Sequence, residues 1–255
     1  MSAPPDTPTR SDAGPADLAL CRSAVWEALA LGFRPPAAET VARLASPEGA
    51  GGLAAIADVL DAAAGSGLAP LTRALAGETS VEALRVAHGR LFGHTARGEA
   101  PPYETEYGEE SLFEPQRELA DLGAFFRAFG LRLDPGARER PDHIACECEF
   151  LLVLARKEVH ALKTGDAAML AATCRATRLF LRDHPGRWAP GFGTKLGRLD
   201  PDGFYGALGR LLAAFVAAEC RRVDVAAGPE FLRLRPAAPD ATPMACGPLA
   251  AAPEP

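Results

Sequence analysis

The sequence predicts an all-α, single-domain helical bundle, and three observations carry that expectation. Apolar residues recur at i, i+3, i+4 spacing in segment after segment. β-Branched and aromatic residues never alternate with polar ones over a useful length. Gly, Pro and Ser punctuate the apolar segments where short loops between helices would fall. A chain of 255 residues, 48% of them hydrophobic, can bury one substantial core. The expected organisation is a disordered segment over 1–15, a helical domain over 16–225 and a Pro/Ala-rich tail over 226–255.

Residues 1–15 hold several prolines and no periodic apolar pattern, so ordering them would cost entropy that little burial offsets. From Ala16 to Phe33, Leu20, Ala24, Trp26, Leu29 and Leu31 recur at helical spacing until Arg34-Pro35-Pro36 stops the helix. The segments 37–44, 53–64, 68–76 and 81–92 read as short Ala/Leu-rich helices in succession. Residues 93–116 break the pattern: between Glu99 and Glu114 stand Glu99, Glu104, Glu106, Glu109, Glu110 and Glu114 with neither Lys nor Arg, a concentration of negative charge. Beyond it, Leu119, Leu122, Phe125, Phe126 and Phe129 mark an amphipathic helix ending at Gly130.

The stretch 139–163 reads as a long helix with a charged head, around which the rest is organised. Ile144, Cys148, Leu151, Leu152, Ala155, Val159 and Leu162 share one stripe, and Phe150, Leu154 and Ala161 lie on a second. Pro141 suits a first helical position and Asp142 complements the helix dipole, so the start is expected near Pro141. His143 and Glu147 then lie one turn apart and face the same way. Gly165-Asp166 supplies a turn and an N-cap for a helix carrying Leu170, Cys174, Thr177, Phe180 and Leu181, which Asp183-His184-Pro185-Gly186 ends. A last helix spans 201–225, with Phe204, Leu208, Leu211, Leu212 and Phe215 inward, and a mostly disordered tail follows.

A net charge of −6 and a pI near 5.5 argue against a nucleic-acid surface and favour partners that carry positive charge. Apolar runs fall far short of the ~20 residues that a membrane span requires. The six cysteines, at 21, 146, 148, 174, 220 and 246, are scattered and no apolar secretory stretch precedes them, so reduced thiols and a cytoplasmic location are expected.

Three motifs resemble one family. Glu139-Arg140-Pro141-Asp142-His143-Ile144, followed by Glu147-Cys148-Glu149-Phe150-Leu151, is similar to the E-x-P-D-H-(I/L)-x-x-E-(L)-E-F signature of the TorD/DmsD-type chaperones for molybdoenzymes. Pro102-Tyr103-Glu104-Thr105-Glu106-Tyr107 resembles the P-Y-x-S-x-Y loop of the same family, Thr105 keeping the hydroxyl of the usual Ser. Phe180-Leu181-Arg182-Asp183-His184 with Trp188 and Phe192 resembles its F-x-x-(D/E)-H-(L)-x-x-W-x-x-x-F element, with Pro185 where Leu is usual.

The motifs occur in the family's order, and the resemblance spans about residues 20 to 225. It implies a TorD-like bundle with a non-catalytic role. The partners implied are the apo catalytic subunit of a molybdoenzyme of the dimethyl sulfoxide reductase family and its twin-arginine leader, held back from export until the cofactor is inserted. The site residues implied are Tyr103, Tyr107, Glu139, Arg140, Pro141, Asp142, His143, Glu147, Asp183, His184 and Trp188, with Glu139 and Asp142 as charge partners of the leader and His143 and Glu147 orienting one another. No cofactor of its own is expected, and the protein would be a monomer or homodimer.

The alternative is a helical metal protein or enzyme using His143 and the nearby thiols. Cys146 and Cys148 are two residues apart, about 200° around a helix, and cannot chelate one ion unless the helix unwinds. A di-iron bundle would need Glu-x-x-His, and neither His143 nor His184 has a Glu three residues before it.

Overall fold

The computed structural model describes residues 13–93, 97–108, 114–134, 136 and 139–236. The disorder expected over residues 1–12 and 237–255 concerns residues outside this set, as do Glu109, Glu110, Cys246 and the side chain of Glu114. Among the described residues the fold is all-α, with ten α-helices and β-pairing confined to isolated bridges.

Helix α1 covers Pro15–Phe33 and begins two residues into the described chain, so the expected 1–15 boundary falls one residue late. Helix α2, Ala38–Thr40, runs straight into a π-helical turn, Val41–Ala45. Helix α3, Pro47–Ala64, starts six residues before the expected Leu53, because Ser46 accepts a hydrogen bond from the Gly49 amide and Pro47 suits N1. Helix α4 is Leu68–Arg73 and α5 is Val81–Phe92, capped by Ser80. Helix α6, Glu114–Ala128, is followed by Gly130 at a φ of +72°.

Helix α7, Ile144–Thr164, is the central one. It packs along α1 over most of its length and against α8, Ala167–Asp183, which Asp166 caps by accepting from the Met169 amide. Helix α9, Pro185–Leu199, has no counterpart among the expected elements. Asp183-His184-Pro185-Gly186 does end α8, but Pro185 also serves as the first residue of the next helix, where its missing N–H costs nothing. Helix α10, Phe204–Arg222, lies along α9, and the two backbones touch where Gly193 faces Gly209; a Cβ on either would strike the other's carbonyl.

The core runs the length of these pairings. Trp26 meets Phe215 at 4.6 Å between ring centroids, Phe33 meets Phe192 at 5.6 Å, and Phe150 meets Phe180 at 4.5 Å. All six are essentially excluded from solvent. Each such side chain contributes about 1.5–3 kcal/mol by leaving water.

The tail departs from expectation. Residues 223–236 are described, and 226–236 cross back over the molecule as an extended strap. Pro190 explains how the strap is held: lacking an N–H, it leaves the Gly186 carbonyl without its helical donor, and the Gly228 amide donates there instead at 2.7 Å.

Candidate functional site

The loop over residues 97–108 lacks the local ladder of a helix, so its polar groups are satisfied by distant segments. The Glu104 amide donates to the Asp142 carbonyl and the Ile144 amide to the Pro102 carbonyl, each at 2.9 Å, which makes the single bridge Tyr103–His143. Asp142 is wholly buried and acts as the pin of this junction. One carboxylate oxygen accepts from Thr105 Oγ1 at 2.7 Å and from the Thr105 amide at 3.3 Å. Arg140 grips the same carboxylate through Nε at 3.0 Å and Nη2 at 2.7 Å, and lies 4.6 Å over the Tyr103 ring. Tyr103 Oη donates to Glu139 at 3.1 Å.

Because the Asp142 side chain is engaged in this way, α7 begins at Ile144 and not near Pro141. His143 is the N-cap, its Nδ1 accepting from the Ala145 amide at 3.1 Å. Burial holds its imidazole pKa down at about 3, with His88 adding to the effect, so the ring is neutral. His143 and Glu147 do not orient one another as expected. Glu147, also wholly buried, accepts from Trp188 Nε1 at 3.2 and 3.3 Å. Burial, and then the Glu104 charge, raise its carboxyl well above the ordinary range.

On the other side of the loop, Glu104 Oε2 lies 2.9 Å from His184 Nδ1, and His184 Nε2 lies 3.3 Å from Asp121. His184 is at once the end of α8 and the cap of α9, so one imidazole joins the loop, α6 and the α8–α9 corner. Burial raises the Glu104 pKa, and the imidazole pulls it partly back. Tyr107 stacks on Trp188 at 5.4 Å, its Oη donating to the Pro101 carbonyl. Burial pushes the Tyr103 phenol up to about 12.

The structure therefore brings together Tyr103, Glu104, Thr105, Tyr107, Glu139, Arg140, Pro141, Asp142, His143, Glu147, His184 and Trp188 around one loop. Asp183 stays apart, paired bidentately with Arg182 on the surface. Of the expected site residues, Tyr107, Asp142, His143, Glu147, His184 and Trp188 are buried, whereas Tyr103, Glu139, Arg140, Pro141 and Asp183 reach solvent. For the described Glu99 and Glu106 the expected bare negative potential is compensated by arginines from outside the acidic run. Arg97 pairs with Glu106 at 2.7 Å, Arg90 lies 3.6 Å from Glu99, and the His184 imidazole meets Glu104.

Several participants escaped the sequence reading. Glu118 and Asp121 on α6 face the loop, and Arg235 of the strap pairs with Glu118 at 3.3 Å. The signal for the strap was present: Leu232-Arg233-Leu234-Arg235 alternates apolar and basic residues with period two. Under the strap lies a cleft of about 430 Å³, lined by Glu104, Tyr107, Glu118, Trp188, Leu232 and Arg235. No group of three or more His, Cys, Asp or Glu among the described residues is placed to hold a metal ion. Cys148 is fully buried, and burial raises the Cys146 thiol to about 12.

The loop, the α7 head and the α8–α9 corner all fall within residues 57–193, more than half of the chain, and these match the family model described as "Nitrate reductase delta subunit". The chain belongs to the nitrate reductase delta subunit family. Among similar members, the chaperone protein TorD of Vibrio cholerae serotype O1 (strain M66-2) is 28% identical over 136 residues, covering 52% of this chain and 59% of that protein. The selenate reductase assembly chaperone protein of Thauera selenatis is 38% identical over 99 residues, 38% of this chain and 50% of its own. The chlorate reductase assembly chaperone protein of Ideonella dechloratans is 38% identical over 79 residues, 31% of this chain and 39% of its own. The chain thus spans less than two thirds of the length of these relatives. No described helix of this family member is long and apolar enough to cross a membrane.

Proposed function

We propose that this chain is a non-catalytic assembly chaperone, acting in the cytoplasm on a molybdoenzyme of the dimethyl sulfoxide reductase family. It binds the enzyme's twin-arginine leader, its apo form, or both, before cofactor insertion and export. The observation that carries this reading is convergence: three segments far apart in sequence, each resembling the chaperone family, meet around one loop. The names of the relatives point the same way, and the selenate and chlorate reductase chaperones favour a related oxyanion reductase as client.

The arrangement suits recognition better than chemistry. Its acids and bases are engaged with one another or held neutral, and its thiols are kept protonated by burial. In this reading the buried residues Asp142, His143, Glu147, His184 and Trp188 fix the loop's shape. The solvent-facing Tyr103, Glu139, Arg140 and Pro141 make the contacts, and Asp183, set apart with Arg182, has no part in them.

The test is calorimetric titration of a synthetic twin-arginine leader into the full chain. Binding should weaken but persist as salt shortens the Debye length from ~10 Å at 0.1 M to ~3 Å at 1 M, because apolar burial is not screened. Glu139→Gln, which keeps the acceptor for Tyr103, should weaken it about two- to fivefold, the scale of one exposed charge contact. Absence of binding to any leader of this type would remove leader recognition from the reading and leave only the apo enzyme as its partner.

A further inference from the structure

The strap is held as a ligand would be. The Gly108 amide donates to the Arg233 carbonyl at 3.2 Å and the Arg235 amide to the Glu106 carbonyl at 2.8 Å, so alternate strap residues add a short strand to the loop's edge about the bridge Tyr107–Leu234. The guanidinium of Arg235 enters a socket. Its Nη1 donates to the Thr105 carbonyl at 3.1 Å and its Nη2 lies 3.3 Å from Glu118, both side chains being largely buried, at 11% and 10% exposure. Leu232 packs where Gly191 leaves room, since a Cβ there would meet it at 2.9 Å.

The hold is shallow by the standards of the core. None of the residues 226–236 is fully buried, Phe231 is 68% exposed, and a cleft of about 430 Å³ lies beneath. An apolar-flanked arginine, paired edge to edge with the backbone, over a floor of Tyr107, Trp188, Glu104 and Glu118, is a specification of the partner. It fits an extended peptide with arginines beside apolar side chains, bound by strand addition.

We infer that the edge Glu106–Gly108 with its Glu118 socket is the receptor for such an arginine-bearing segment of the client, and that strap residues 226–236 occupy it until the client displaces them. The inference rests on the leader-binding reading and adds to it the binding mode and a built-in competitor. The strap's own pairing shows what the groove accepts. A strap closed nine-tenths of the time would weaken the apparent affinity about tenfold.

The experiment uses the full chain and a synthetic peptide with two adjacent arginines followed by a leucine-rich segment. Arg235→Glu sets a negative charge against Glu118, and Leu232→Asp removes the apolar anchor; each loosens the strap and leaves the groove's floor intact. Both should bind the peptide about tenfold more tightly than the wild type by calorimetry. In the wild type, the Gly228 and Arg235 amides should lose protection from hydrogen exchange when the peptide is bound. Equal or weaker binding by both variants, or strap amides that stay protected in the complex, would overturn the inference while leaving leader binding in place. No binding by wild type or either variant would remove the leader-binding reading, and the inference with it.

Discussion

Between α1, α7 and α10 the buried charges match one another. Arg22 reaches Glu158 at 2.7 Å and lies 3.9 Å from Glu219, which Arg222 holds by two bonds at 2.8 and 2.9 Å. All four residues stand on long helices. Around the loop, by contrast, the carboxylates of Glu104, Glu118, Asp142 and Glu147 meet the guanidiniums of Arg140 and Arg235 and the imidazole of His184. Glu147 accepts from an indole in place of a cation. The helical cluster draws its partners from rigid elements alone, with Arg22 Nε left short of a hydrogen bond. The loop cluster holds its shape with a Glu147 carboxyl paired to an indole and an arginine borrowed from a shallow strap, and the exchange inferred above is placed at that end of the molecule.

The largest test of that contrast is Asp142→Ala. It strands Thr105 and Arg140 together and should cost about 3 kcal/mol, roughly 6–12 °C in melting temperature for a chain of this size. Arg22→Leu should cost less, about 1–2 kcal/mol, because Glu219 keeps Arg222. Equal losses in thermal melts would dissolve the distinction between the clusters.

Acid sharpens it next. His143 has its pKa lowered to about 3 in the fold, so below its unfolded value near 6.5 only the unfolded chain takes up the proton. Stability is therefore lost as pH falls from 6.5 toward 3, by about 2 kcal/mol between 6.5 and 5. His143→Asn, which preserves a capping acceptor, should flatten that limb in urea melts at pH 5 and 6.5; an unchanged slope would assign the acid loss to other groups.

The smallest effect has the opposite sign. Glu147 has a raised pKa, so the fold binds its proton more tightly than the unfolded chain does, and this stability is lost as pH rises from about 4.5 through the folded value. Glu147→Gln keeps an acceptor for Trp188 and needs no proton. It should leave stability at pH 5 nearly unchanged and raise it at pH 8. A loss at pH 8 would show that the carboxylate is stabilising as the anion.

Most helices were legible because their signals are local. Asp166, Gly130 and Gly165 announce ends that the structure confirms, and the stripes of α7 and α10 turn inward as they advertise, whereas Leu20 of the α1 stripe stays 49% exposed. Helix α9 was hidden by its own punctuation: Pro185, Gly186, Pro190 and Gly191 read as stops, although Trp188, Phe192 and Leu196 stand at helical spacing. Pro190 is tolerated because the strap's Gly228 supplies the hydrogen bond it cannot, a remedy 38 residues away in sequence. The start of α7 moved for a similar reason, since the partner that draws off Asp142 is Thr105. The three motifs were legible as a set, but which of their side chains face water was not. That depends on which loop atoms each one meets, and period and composition carry no such information.

The loop's dependence on remote partners also sets an order in time. A helix turn closes over four residues, whereas Thr105 waits for Asp142, 37 residues on, Glu104 for His184, 80 residues on, and Glu118 for Arg235, 117 residues on. Each doubling of a loop adds only about 0.6 kcal/mol of closure entropy, yet non-local contacts repay nothing until the intervening helices are in place. As the chain is synthesised, the strap is the last of these partners to emerge after α9, and on the inference above a leader arriving in that interval would meet no competitor.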